Sequence, residues 1–212
     1  MNKVSFCIIC YDGDVYLLPR ILSELSKQTV TPDELLVLVS GVPDDNHLDI
    51  EVKNTQAKIH FFKDRMLPNK ARNTIADIAT GDVICLSDVD DIPHHQKIEL
   101  VKNIFQNKEV DALVHNYIMS YGDFSDIENI NNAVENIEKI IEDDGSRSTN
   151  ILAPSRKGIH HAHITARKDV YKDVKGPEDM KFGEDGMFCR AILNSKYNMY
   201  YTDQKLIIYD TN

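Results

Sequence analysis

Residues 83–91 read Val83-Ile84-Cys85-Leu86-Ser87-Asp88-Val89-Asp90-Asp91, an apolar run that stops abruptly in three carboxylates. The run Val83 to Ser87 follows a helical stripe that Gly81 ends, and it has the unbroken apolar character of a strand covered on both faces. Asp88, Asp90 and Asp91 then fall at one edge of a sheet, where their mutual repulsion requires a cation to offset it. The chemistry of the chain is expected at that edge.

Working outward, the same rhythm repeats. Val4 to Cys10 is another nearly unbroken apolar run; Asp12-Gly13-Asp14 turns the chain, and Leu18, Ile21, Leu22 and Leu25 form one apolar helix face. Glu34 to Val39 reads as a second strand and Ile59 to Phe62 as a short third. Ala71, Ile75, Ile78 and Ala79 make the stripe that leads into the carboxylate strand. Pro93 is expected in the first turn of a helix carrying Ile98, Val101, Ile104 and Phe105, with Ala112 to Val114 resuming strand character. This alternation predicts an α/β fold with a mainly parallel central sheet flanked by helices on both faces. Ligands of such sheets sit beyond the carboxyl ends of the strands, and Asp88, Asp90 and Asp91 lie at one such end.

The chain has 212 residues, 42% hydrophobic and 27% charged, which suits one compact domain with a sizeable core. A formal net charge of -10, without any run of Lys and Arg, argues against nucleic acid or an anionic membrane as partner. No apolar stretch reaches the roughly 20 residues of a membrane span, and Met1-Asn2-Lys3-Val4 leads into a strand without a signal-peptide pattern. A soluble cytoplasmic protein is expected. Cys7, Cys10, Cys85 and Cys189 read as buried, reduced core thiols, because Cys7 and Cys10 lie within a strand and do not open a helix as a redox pair does. After Tyr121 the pattern breaks. Residues 122–158 read as an insertion: a peripheral helix with Ile127, Ile130, Val134, Ile137 and Ile141 at helical spacing, then a loop through Asp-Asp-Gly-Ser-Arg-Ser.

Beyond the Asp88-Val89-Asp90 stretch, which exceeds what capping one helix needs and suits Mg²⁺ or Mn²⁺ with substrate phosphates, two further constellations carry charge. Asn69-Lys70-Ala71-Arg72-Asn73 opens a helix, and a guanidinium there suits a diphosphate or holds a carboxylate in place. Glu184 and Asp185 open an apolar helix after Phe182-Gly183. That placement favours acids on the helix dipole and equally suits a general base that must stay ionised. His160, His161 and His163 form a last cluster; in a strand His161 and His163 share a face, a spacing that can chelate a metal or touch an acceptor.

These segments, in this order, resemble the inverting glycosyltransferases of the GT-A fold, family 2 and its relatives. The resemblance covers most of the chain: the Val4-to-Asp12 opening, the Ala71-Arg72-Asn73 helix, Gly81-Asp82-Val83-Ile84 leading to the Asp-x-Asp-Asp strand end, and the late Gly183-Glu184-Asp185 helix. It implies that Asp88 and Asp90 contact the ribose and the Mn²⁺ or Mg²⁺ on the diphosphate of a nucleotide-sugar donor (UDP-, GDP- or dTDP-sugar). Asp185 would be the base that deprotonates the acceptor hydroxyl, with Glu184 orienting acceptor or base. Tyr11 and Asp12 would line the nucleotide pocket, Arg72 would help to stabilise the departing diphosphate, and a glycan or glycoprotein would accept the sugar. The chain's compactness is similar to that of glycosyltransferase domains from large DNA viruses and bacteria, and further domains of a longer protein are compatible with it.

One departure stands out. The family usually ends its second strand in acidic residues that hold base or ribose, whereas here the strand ends Leu38-Val39-Ser40-Gly41. Two other readings share parts of the pattern. A sugar nucleotidyltransferase should show a Gly-rich phosphate loop after the first strand, and Tyr11-Asp12-Gly13-Asp14 offers one glycine and two acids. A non-catalytic carbohydrate-binding or scaffold module of the same fold would have had no need to keep both acid pairs.

Overall fold

The computed structural model describes residues 2–43, 46–53, 55–119, 122–124, 126, 127, 129–140 and 164–209. Its centre is β1 (Val4–Tyr11), whose first seven residues are buried. It pairs in parallel with β2 (Glu34–Ser40) on one side and with β5 (Val83–Asp88) on the other. Alternate residues of β1 feed two cores. Cys7 and Ile9 face α2 (Pro68–Ile78), α5 (Lys168–Asp173) and α6 (Glu184–Leu193), whereas Phe6 and Ile8 face α1 (Leu18–Leu25), α3 (Lys97–Asn107) and α4 (Ile130–Glu135). Each such side chain, fully withdrawn from water, contributes roughly 1.5–3 kcal/mol of transfer free energy. The strand carrying the site is therefore held from both faces. All four cysteines are buried free thiols in these cores.

The remaining strands are β3 (Asn46–Val52), β4 (Thr55–Phe62), β6 (Ile92–Pro93), β7 (Ala112–Met119), β8 (Ile137–Lys139), β9 (Ile164–Arg167) and β10 (Met199–Tyr209). They make one sheet in the order β3-β4-β2-β1-β5-β9-β7-β10-β6, with β8 on the side of β10. The run β4-β2-β1-β5 is parallel throughout. Beyond it β9 lies antiparallel between β5 and β7, while β7 and β10 are parallel to each other.

Three elements differ from the periodicity. The hairpin strand β3 precedes β4 and is antiparallel to it; its alternating Leu48, Ile50 and Val52 carry the period-2 signal that marks a strand. Pro93 does not start a helix. It lies in β6, paired with Ile207 of β10, a strand at the sheet's edge where a missing N–H costs little. Helix α3 starts at Lys97, and the Gln28 side chain accepts from Ile98 N at 3.2 Å in place of a local cap. In the segment from 122, helix α4 is six residues long, and Ile137 opens β8, which pairs with β10. Ala133 and Val134 of α4 are buried against the core that includes α3. The expected loop at 143–148 lies outside the described residues, as do His160, His161 and His163.

Candidate active site

The carboxyl ends of β1 and β5 open into a cleft of about 250 Å³ lined by Ile9, Tyr11, Asp14, Pro68, Arg72, Asp88, Val89, Asp90, Glu184, Asp185 and Tyr209. At its base is Arg72, whose residue is 5% exposed. Its Nη2 donates to both oxygens of Asp88 at 3.1 Å, and its Nη1 donates to Glu184 Oε1 at 3.3 Å and Asp185 Oδ1 at 3.2 Å. One guanidinium thus joins the end of β5 to the start of α6. Burial alone would lower the arginine's pKa, but Asp88, Asp185 and Glu184 outweigh it and push the pKa above its ordinary value. Of the two acids of α6, Asp185 is the more open, with its side chain 25% exposed against 10% for Glu184.

Helix α2 fixes this arrangement through its polar face. Pro68 supplies the first turn, where its missing N–H is harmless. Asn73 then donates to Gly176 O and to Glu178 Oε1, both at 3.0 Å, while its Oδ1 accepts from Gly176 N at 3.2 Å. Asn69 donates to Glu184 O at 3.4 Å. A Cβ on Gly176 would lie 2.5 Å from Asn69 Nδ2, so only glycine permits this approach. Gly183, with φ of 76°, makes the left-handed turn that aims Glu184 and Asp185 at Arg72. The Asn-Lys-Ala-Arg-Asn segment is therefore a clamp on the loop before α6 as well as the source of the arginine.

The three strand-end carboxylates diverge. Asp88 and Asp90 are half-buried at the cleft, and Arg20 Nη2 donates to Asp90 O at 2.5 Å, tying the turn to α1. Asp91 turns inward: it is fully buried, and its carboxylate oxygens have no hydrogen-bond partner among the described residues. Burial, then the neighbouring Asp88 and Asp90, push its pKa well above the usual carboxylate range. Lys97, also fully buried, lies in its field, and burial lowers that ammonium's pKa. Two half-open carboxylates with room beside them fit a hard divalent cation that shares its shell with ligand phosphates, which is the Mg²⁺ or Mn²⁺ mode of binding. They do not form a closed protein cage. The one grouping of three donors within 4.8 Å among the described residues is His94, His95 and Asp126, outside the cleft. There His94 Nδ1 accepts from Gln96 N at 3.0 Å, which leaves the other ring nitrogen to carry the proton in the neutral ring.

Tyr11 lines the cleft; its hydroxyl is buried with no hydrogen-bond partner among the described residues, and burial pushes it up to about 12, so it stays protonated. Asp12 lies outside the cleft lining. Its carboxylate is 4.0 Å from Arg65 and packs against Gly41, because the chain enters a 3-10 turn at Asp12 that brings Asp14 to the cleft instead. Arg65 in turn lies over the Tyr11 ring, 5.2 Å from its centroid. A hollow of about 500 Å³ adjoins the cleft through Tyr11 and Pro68, between Arg65, Leu67 and the exposed Phe182.

Asp14 and Tyr209 escaped the sequence reading. Asp14 was visible only as a turn residue, and nothing local in Ile207-Ile208-Tyr209 announces a site. The described residues include no helix long and apolar enough to cross a membrane.

Residues 5–173 match the family model of glycosyl transferase family 2. The chain belongs to that family. No curated protein matches it. Among solved structures it is similar to S. aureus TarS 1-349, with 20% identity and a TM-score of 0.67 over 98% of this chain and 60% of that one. The same protein in complex with UDP-GlcNAc matches with 18% identity, a TM-score of 0.67, and coverage of 99% and 59%. The mannosyltransferase PcManGT from Pyrobaculum calidifontis, in complex with GDP-Man and Mn²⁺, is 16% identical, with a TM-score of 0.58 over 98% of this chain and 56% of that one. The family 2 chain thus has the GT-A architecture and spans about 60% of the length of TarS 1-349.

Proposed function

We propose that the chain is a metal-dependent, inverting glycosyltransferase domain that moves a sugar from a nucleoside-diphosphate donor to an acceptor hydroxyl of a glycan or glycoprotein. The observation that carries this reading is the Arg72 bridge, which joins Asp88 and the Glu184–Asp185 pair at the base of one cleft. Family membership and the nucleotide-sugar ligands of the similar structures support it.

Asp88 and Asp90 would hold Mn²⁺ or Mg²⁺ with the donor diphosphate, and the cation would supply positive charge to the leaving group. The adjoining hollow beside Tyr11 and Arg65 has the size and the aromatic wall to take the nucleoside. Arg72 is committed to carboxylates and acts as a positioning residue: it sets Asp88 on the donor side and Asp185 on the acceptor side. Asp185 removes the proton of the acceptor hydroxyl as that oxygen attacks the anomeric carbon. The bond to the diphosphate oxygen breaks on the opposite face, and the configuration inverts. Glu184, bound to the same guanidinium and less exposed, orients that base.

The test is release of nucleoside diphosphate from UDP-GlcNAc, UDP-glucose and GDP-mannose with and without Mn²⁺, with the anomeric configuration of the product read by NMR. A β-linked product from an α-linked donor is expected. A retained α configuration would overturn the single displacement, and pyrophosphate release from a nucleoside triphosphate would instead mark a nucleotidyltransferase.

A further inference from the structure

The cleft has two aromatic walls. Tyr11 ends β1 and lines both the cleft and the hollow assigned to the nucleoside, whereas Tyr209 ends β10 and lines the cleft without lining that hollow. The position of Tyr209 is built by the sheet. Ile208 pairs with Ile92 and Ile207 with Pro93 in the antiparallel β6–β10 ladder, so the next residue along β10, Tyr209, comes abreast of Asp91, beside Asp90. On its other side, β10 runs parallel to β7 with register shifts between Thr202 and Lys205 and between Lys205 and Ile208, directly before Tyr209. Irregularities of this kind beside a site re-aim a side chain. The Tyr209 ring then meets Tyr117 of β7 edge-on, with centroids 5.9 Å apart and planes at 70°, which fixes its tilt.

We propose that Tyr209, braced by Tyr117, is the wall against which the donor's sugar ring rests, and that it contributes to affinity and selectivity for the sugar rather than for the nucleotide. This rests on the nucleotide-sugar reading above. Tyr209 lines the same cleft as Asp88, Asp90 and Asp185, and so borders the span between the diphosphate site and the base, where the transferred sugar must sit. A sugar ring presents polarised C–H bonds on its faces, and the negative face of an aromatic ring attracts them. Burial, then those carboxylates, push the Tyr209 hydroxyl above its ordinary range, so it remains a neutral group in an acidic cleft.

The test is calorimetric binding with Mn²⁺ of UDP against UDP-GlcNAc and UDP-glucose, and of GDP against GDP-mannose, to wild type, Tyr209→Ala and Tyr209→Phe. The readout is the ratio of the sugar ester's affinity to that of its nucleoside diphosphate. Tyr209→Ala should shrink that ratio roughly three- to tenfold with the diphosphate's own Kd unchanged, and Tyr209→Phe should restore it. An unchanged ratio in Tyr209→Ala overturns the inference, as does an equal loss for diphosphate and sugar ester. Absence of any nucleotide binding by wild type would overturn the nucleotide-sugar reading, and this inference with it.

Discussion

Arg72 Nη2 lies 3.1 Å from each carboxylate oxygen of Asp88, a forked contact between the second turn of α2 and the last residue of β5. The other terminal nitrogen, Nη1, reaches two acids more than a hundred residues away, Glu184 and Asp185. Three carboxylates converge on one buried cation. Its removal leaves like charges facing one another in a partly desolvated space.

Arg72→Met should therefore lower stability by about 3 kcal/mol, the low end for breaking a buried ion pair, because Asp88 and Asp185 are partly solvated. Urea unfolding measures this. Mn²⁺ with a nucleoside diphosphate should recover part of the loss by supplying positive charge to Asp88. A loss below about 0.5 kcal/mol, the range of ordinary surface substitutions, would mean that the bridge does not organise the site.

Asp185→Asn keeps the shape and removes the base. Transfer should fall by roughly 10²–10⁴ while the Kd of the donor stays within a few-fold of wild type. Isothermal titration alongside initial rates separates the two effects. Normal turnover in this variant would move the base elsewhere.

Asp91 and Lys97 act on one another from full burial, and neither the carboxylate nor the ammonium has a hydrogen-bond partner among the described residues. Each single variant, Asp91→Asn or Lys97→Met, removes one partner and leaves the other buried polar group alone. The double variant should then be more stable than the sum of the singles predicts, with a coupling of about 1–3 kcal/mol in a thermodynamic cycle. Additivity would show that the two charges do not compensate each other.

At the opposite end of the sheet, burial would raise the pKa of Glu34, but hydrogen bonds from Ser5, from Thr80 N at 2.7 Å and from Thr80 Oγ1 at 2.9 Å outweigh it and lower the pKa. Asp33 is lowered in the same way, burial being outweighed by Val4 N and Lys102. Both acids release their protons more readily in the folded chain than in the unfolded one. Their stabilisation is present above the unfolded carboxylate range near pH 4 and disappears as pH falls through the folded values. Glu34→Gln should accordingly lower the melting temperature at pH 7, with the gap to wild type shrinking as pH falls below the unfolded carboxylate range. A gap that persists undiminished at pH 3 would contradict this linkage.

Much of this is legible in the sequence. The unbroken runs of β1 and β5 name themselves as buried strands, and Asp88 and Asp90 follow from the abrupt end of one of them. The types at Arg72, Glu184 and Asp185 were legible too, but not their meeting: no local pattern links an arginine on one helix to acids 112 and 113 residues later. Asp91 looked like a third cleft carboxylate, because sequence does not reveal which side of a turn a side chain takes. Pro93 looked like a helix start for a similar reason, since a proline suits a first helical turn and an edge strand alike. Tyr209 owes its place to the β6–β10 ladder and the irregular register of β10, both of them tertiary facts.

The most direct test of the donor site is a thermal-shift panel of UDP, GDP, CDP and dTDP, with and without Mn²⁺, on wild type and Asp90→Ala. A ligand that binds only the folded state raises its melting temperature. The predicted result is a Mn²⁺-dependent rise with one nucleotide that Asp90→Ala abolishes. A rise of equal size without Mn²⁺ or in Asp90→Ala, or none with any of the four, would contradict the assignment of Asp88 and Asp90 as the metal–diphosphate site.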